Sequence, residues 1–106
     1  MKSQKEHLPM LQFIGLARSK GKDFVQNMTD EEKAVFAQHF AYVENLDSEG
    51  KLVISGACLD GAFGMVMYKA ESEEEARAMF DNDPLVKAGI TATEFHPFRV
   101  GHMETK

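Results

Sequence analysis

Between Thr29 and Gly50 the apolar residues Val35, Phe36, Phe40, Val43 and Leu46 recur at spacings of three and four, and His39 occupies a place in the same stripe. That spacing is the period of one helix face. The stretch "TDEE" at 29–32 supplies the start, with Thr29 as N-cap and Glu32 three residues on to answer the cap amide. Gly50 accepts the left-handed conformation that closes such a helix. Elsewhere the period is two. "MLQFIGLA" at 10–17 carries Met10, Phe13, Ile14 and Leu16 and reads as a strand covered on at least one side. "KLVISGACL" at 51–59 reads as a second strand, and "FGMVMYKA" at 63–70 as a third. The third sets Phe63, Met65, Met67 and Lys69 on one side, with Gly64, Val66, Tyr68 and Ala70 on the other. Asp60-Gly61 between them is a dipeptide that accepts positive φ in a tight hairpin. "SEEEARAMF" then repeats the capping pattern, Ser72 as cap and Glu75 reaching back, and turns Ala76, Met79 and Phe80 inward in a shorter helix. Pro84 keeps this helix from running past Asn82. "ITATEFHPFRV" at 90–100 is the last strand, and Pro97 places it at an edge or an irregularity.

The predicted order is strand, helix, strand, strand, helix, strand. With right-handed crossovers this gives an α+β, ferredoxin-like βαββαβ fold: a four-stranded antiparallel sheet with two helices on one face. The other face has no helix to cover it. If Met65, Met67 and Phe95 point that way, a second copy of the chain is the simplest cover, and the expectation is a homodimer formed through the sheet. Residues 1–9, "MKSQKEHLP", read as a loose polar tail, residues 10–100 as a single domain and residues 101–106 as a C-terminal tail.

A chain of 106 residues has the size of one domain with one core. Seventeen acidic and twelve basic residues give a formal charge of −5, so nothing recruits nucleic-acid phosphates. The longest mainly apolar run, 10–17, is far short of the ~20 residues that span a bilayer, and no signal-peptide pattern precedes it. The single cysteine, Cys58, cannot form an internal disulfide, which agrees with a reducing compartment. A cytoplasmic protein without nucleic-acid or membrane partners is expected. The neighbours of Cys58, "SGACLD", hold no Lys, Arg or His to activate a thiol, so a structural role is expected for it.

Two residues attract a chemical reading, and each has a plain alternative. His39 stands where the stripe calls for leucine. It is either a core histidine bonded to a backbone carbonyl or a general base. Asp83, in "DPLVKAG", caps a single helical turn that has Pro84 at its first position and Gly89 at its end. It is also within geometric reach of His39 if both helices lie on one face of the sheet, where a carboxylate would fix the imidazole tautomer. The remaining candidates are weaker. His96 and His102 have no ligand set at metal spacing, His7 belongs to the tail, and Ser55 has no base at a readable distance. There is no nucleophile elbow, and "DGAFG" joins two strands instead of opening a helix. No metal or cofactor is expected.

The segments "HFAYVENLDSEGKLVISGACLDG" and "AESEEEARAMFDNDPLVKAGITATEFHPFRV" resemble the YciI-like (YCII-domain) family, from about residue 10 to about residue 100. The most specific piece is "AESEEEARAMFDNDPLVKAG". The histidine of the first helix and the Gly after "LVIS" are further markers. The resemblance implies a ferredoxin-like unit of the dimeric α/β-barrel superfamily that dimerises through its sheet. It also implies a His-Asp pair in a small cleft, here His39 and Asp83. Relatives include a dehydrochlorinase acting on chlorinated hydroxyhydroquinones, and muconolactone isomerases share the superfamily. The resemblance therefore implies proton abstraction or elimination on a small, polar, cyclic substrate. Three departures concern the cleft mouth: Ala57 where the family usually has proline, a long link after the first strand, and the extra residues 1–9. The first reading is a cofactor-free lyase, dehalogenase or isomerase with His39 as base and Asp83 as orienter. The alternative is a non-catalytic small-molecule binding or sensing module using the same cleft. A purely structural role is the third.

Overall fold

The computed structural model describes residues 11–19 and 25–104. The N-terminal tail, with His7 and Met10, and most of the link after the first strand lie outside the described residues.

Alternation along the two central strands decides the layering. In β1 (Leu11–Ser19) and β3 (Gly64–Ala70), paired antiparallel, Phe13 lies opposite Tyr68, Gly15 opposite Val66 and Leu11 opposite Ala70. These face the helices, and Phe13, Val66, Tyr68 and Ala70 are buried. β4 (Thr91–Phe98) pairs with the free side of β1, and β2 (Leu52–Ala57) with the free side of β3. The sheet order is β2-β3-β1-β4, all antiparallel, the ferredoxin-like arrangement. β4 is an edge strand, which accommodates Pro97. The second and last strands are shorter than the runs that predict them, whereas the first continues two residues past its run, to Ser19.

Three α-helices pack on one face: α1 (Asp30–Ser48), α2 (Glu73–Asp81) and the short α3 (Pro84–Ala88). A 3-10 turn at Val25–Asn27 precedes α1. The α1 capping box forms as predicted, Thr29 Oγ1 accepting from the Glu32 amide at 3.1 Å and Glu32 Oε1 from the Thr29 amide at 2.9 Å. At α2, Ser72 Oγ accepts from the Glu75 amide at 3.1 Å. The Glu75 carboxylate passes the cap residue and accepts from the Glu71 amide at 2.8 Å. Leu46 of α1 and Ala76, Met79 and Phe80 of α2 close the core against the sheet.

Two expectations are corrected by register and helix phase, and β2 adds a feature that the sequence did not signal. Phe95 does not lie on the open sheet face. It pairs with Gly15, turns toward the helices, stacks on Phe13 at 5.6 Å and meets Phe80 at 5.2 Å. The α1 stripe is only partly buried: Leu46 is in the core, whereas Phe40 is 63% exposed, and Tyr42 packs against the core in its place. An irregularity between Leu52 and Ile54 changes the side to which β2 turns its residues. Leu52 packs on the core, while Ile54 pairs with Met67 and is 54% exposed.

Gly15 makes the close approach of α2 possible. A Cβ there would stand 2.9 Å from Phe80 Cδ1 and 3.2 Å from Tyr68 Cε2. Any larger residue holds α2 off the sheet and shifts the helix end from which Asp83 projects.

Candidate functional site

α2 stops at Asn82, and the chain turns at Asp83 into α3. Asp83 is extended (φ −65°, ψ 127°), as a residue before proline prefers, and its Oδ1 accepts from the Leu85 amide at 2.8 Å. Gly89 ends α3 at φ 69°, a left-handed value that glycine adopts without strain. The predicted cap is therefore present. The same carboxylate also meets His39, whose Nδ1 lies 2.9 Å from Oδ1 and 2.8 Å from Oδ2. Cap and histidine partner are one side chain. Asp83 is acceptable beside the negative end of α2 because it also stands at the start of the next turn, where an amide points at it.

The pair is shielded, with the side chains of His39 and Asp83 14% and 4% exposed. A carboxylate only accepts, so Nδ1 carries the proton and donates to it. In the neutral imidazole that arrangement leaves the lone pair on Nε2. Phe36 and Phe40 flank the imidazole, with ring centroids 6.4 and 5.4 Å away. Burial pushes the Tyr42 phenol up from its ordinary pKa, with the Asp83 charge adding to it, and its hydroxyl donates to the Met79 carbonyl at 2.7 Å. Tyr68, 1% exposed, is pushed further in the same direction by the same two causes. Both phenols stay protonated beside the carboxylate.

His39 and Asp83 line a cavity of about 800 Å³, within the usual range for small-molecule sites. Its floor is the helix-facing side of the sheet at Gly15, Val66 and Tyr68. The β2–β3 hairpin, with Cys58 and Leu59, stands at its rim. Leu16 and Met65, from the other sheet face, also line it. The cavity therefore opens around the strand ends where Ala17 and Ala57 flank Gly64 with little side-chain bulk.

The other sequence candidates separate from this pair. His96 lies on the open sheet face, 3.1 Å from Glu94 Oε1, and Arg18 Nε donates to Glu94 Oε2 at 3.2 Å. The bonds from His96 and then Arg18 hold the Glu94 carboxyl below its usual range. His102 is exposed in the C-terminal segment. Among the described residues no group of three or more His, Cys, Asp or Glu is arranged to hold a metal ion. Ser55 and Cys58 do line the cavity, and Cys58 is a free, half-buried thiol. No described helix is long and apolar enough to cross a membrane.

Sequence reasoning missed Thr91. At the start of β4 it is buried to 6% exposure on the cavity wall, and its Oγ1 has no hydrogen-bond partner. A threonine opening a strand carries no sequence signal that separates it from a packing residue.

No curated protein matches the chain. A solved structure that matches is 5-chloro-2-hydroxyhydroquinone dehydrochlorinase (TftG) from Burkholderia phenoliruptrix AC1100, in complex with 2,5-dihydroxybenzoquinone. It is similar at 25% identity and a TM-score of 0.60, over 84% of this chain and 95% of that one. The sequence model of the YCII-related domain matches residues 13–99, a span that holds both His39 and Asp83, and the chain belongs to that family.

Proposed function

We propose that this protein is a small cofactor-free enzyme that abstracts a proton from a polar, ring-shaped substrate, with His39 as base and Asp83 as the carboxylate that orients it. The observation that carries this reading is the contact of both Asp83 oxygens with His39 Nδ1 in the wall of a cavity. With Nδ1 committed as donor, Nε2 takes the proton, and Asp83 faces the imidazolium that forms. In a dehydrochlorination the bonding pair left by that proton moves into the ring, the C–Cl bond breaks, and chloride leaves with its own pair. The net loss is HCl, and no external oxidant is required. The dehydrochlorinase similarity supports a reaction of this class. An isomerisation would use the same abstraction and return the proton to another ring carbon.

The homodimer belongs to the same proposal. Ile14, Leu16, Ile54, Met65 and Met67 share the sheet face away from the helices; Met67 is already buried in the single chain, and a second copy laid on the face would cover what the others leave exposed, Ile54 above all. A cytoplasmic location is proposed with it, supported by the free Cys58.

The test is chloride release from 5-chloro-2-hydroxyhydroquinone by purified protein. Release above the uncatalysed rate is expected. Saturable binding without release would instead favour a binding or sensing module in the same cavity.

A further inference from the structure

A buried hydroxyl without a partner is unfavourable, and folded proteins leave few of them. Among the described residues, Thr91 Oγ1 is the buried side-chain oxygen or nitrogen in that condition. Its position is informative. Alternation along β4 places Thr91, Thr93 and Phe95 on the helix-facing side, and Ser19 of β1 is the register partner of Thr91. Ser19, Thr91 and Thr93 all line the cavity that holds His39 and Asp83. The β1–β4 side of the cavity thus carries a hydroxyl-bearing patch on the sheet, and Thr91, buried within it, makes no internal side-chain bond.

We propose that Thr91 is a ligand-binding residue of this cavity and that its hydroxyl bonds an oxygen of the ligand, a ring hydroxyl, carbonyl or carboxylate, while a second polar group of the same ligand meets His39. This rests on the reading of the cavity as a small-molecule site and names the ligand class: a ring with at least two oxygen functions. Oγ1 itself is buried, while the residue lines the cavity. A rotation of roughly 120° about χ1, between staggered wells, is the movement that re-aims such a hydroxyl, and a ligand that bonds it favours the rotamer facing the cavity. Thr91 then has opposite consequences in the two states. Without ligand its hydroxyl costs stability, and with ligand it contributes affinity.

That opposition makes the test specific. Thr91→Val keeps the shape and removes the hydroxyl, and Thr91→Ser keeps the hydroxyl. Melting temperature without ligand and calorimetric binding of 2,5-dihydroxybenzoquinone are measured for wild type and both variants. The expected result is a valine variant that melts a few degrees higher and binds about tenfold more weakly, the scale of one lost hydrogen bond, with serine binding close to wild type. Valine binding equal to wild type overturns the role of Thr91 and leaves the cavity reading standing. A valine variant that melts lower also overturns it, because the hydroxyl is then making an internal bond. If wild type does not bind the probe, the oxygenated-ring class fails and the proposal fails with it.

Discussion

His39 Nδ1 stands 2.8 Å from Oδ2 and 2.9 Å from Oδ1 of Asp83, and Oδ1 also receives the Leu85 amide at 2.8 Å. One carboxylate thus starts a helical turn and fixes the tautomer of a histidine 44 positions earlier in the chain. Because the cap uses Oδ1 alone while the histidine contact uses both oxygens, a change at Oδ2 can separate the two tasks.

Asp83→Asn should retain the cap, since Asn caps a helix about as well as Asp, and the loss of stability should stay near 1 kcal/mol. With the amide oxygen kept on the Leu85 amide, the NH2 group takes the place of Oδ2 and donates to Nδ1, which favours the other tautomer. The expected outcome is a denaturation midpoint close to wild type together with collapse of ligand response or turnover. Unchanged activity in this variant would reduce the pair to a lone histidine.

Gly15→Ala tests whether α2 must approach the sheet this closely. Glycine in a strand is less favourable than alanine by about 0.5–1 kcal/mol, which alone predicts stabilisation. The added methyl would stand 2.9 Å from Phe80 Cδ1, on rings already packed against Tyr68 and Phe95. Overpacking costs about 1–3 kcal/mol and should win. A urea midpoint lowered relative to wild type is expected, and a raised midpoint would show that α2 has room to move.

Both tyrosines of the chain, Tyr42 and Tyr68, have phenols pushed above their ordinary value by burial and the Asp83 charge. A group whose folded pKa is raised contributes stability that is complete below the unfolded value, about 10, and is lost as pH rises beyond it. Tyrosinate absorbance should therefore stay low in folded protein near that pH and rise together with unfolding. Ionisation of both phenols while circular dichroism remains native would contradict the burial of Tyr68.

The sheet face away from the helices should bring two copies together. Light scattering at micromolar concentration is expected to give twice the chain mass. Ile54→Glu, at a side chain 54% exposed in the single chain, should yield a folded monomer. A monomeric mass for wild type would remove the dimer from the account.

Much of this architecture was legible because it rests on local rules. The cap residues Thr29, Ser72 and Asp83, the helix stop before Pro84 and the left-handed Gly89 all depend on chemistry within a few residues. His39 stood out because it interrupts an apolar stripe, and Asp83 because it precedes a proline. What was not legible depends on pairing at a distance. The facing of Phe95 follows from its register with Gly15, and shifting a strand by one residue reverses every side chain on it. The turning of Leu52 into the core depends on an irregularity of β2 against β3. Thr91 acquires meaning only when Ser19, Thr93 and the cavity are assembled around it.

The central claim is that His39 Nε2 takes the proton, and the most direct measurement is chloride released from 5-chloro-2-hydroxyhydroquinone by wild type and His39→Gln, with binding read on the same samples. Glutamine keeps a polar side chain in the cavity wall and removes the base. The account predicts that binding persists in the variant while release falls by about 10²–10⁴, the scale of a general base. Release by His39→Gln at the wild-type rate would contradict it.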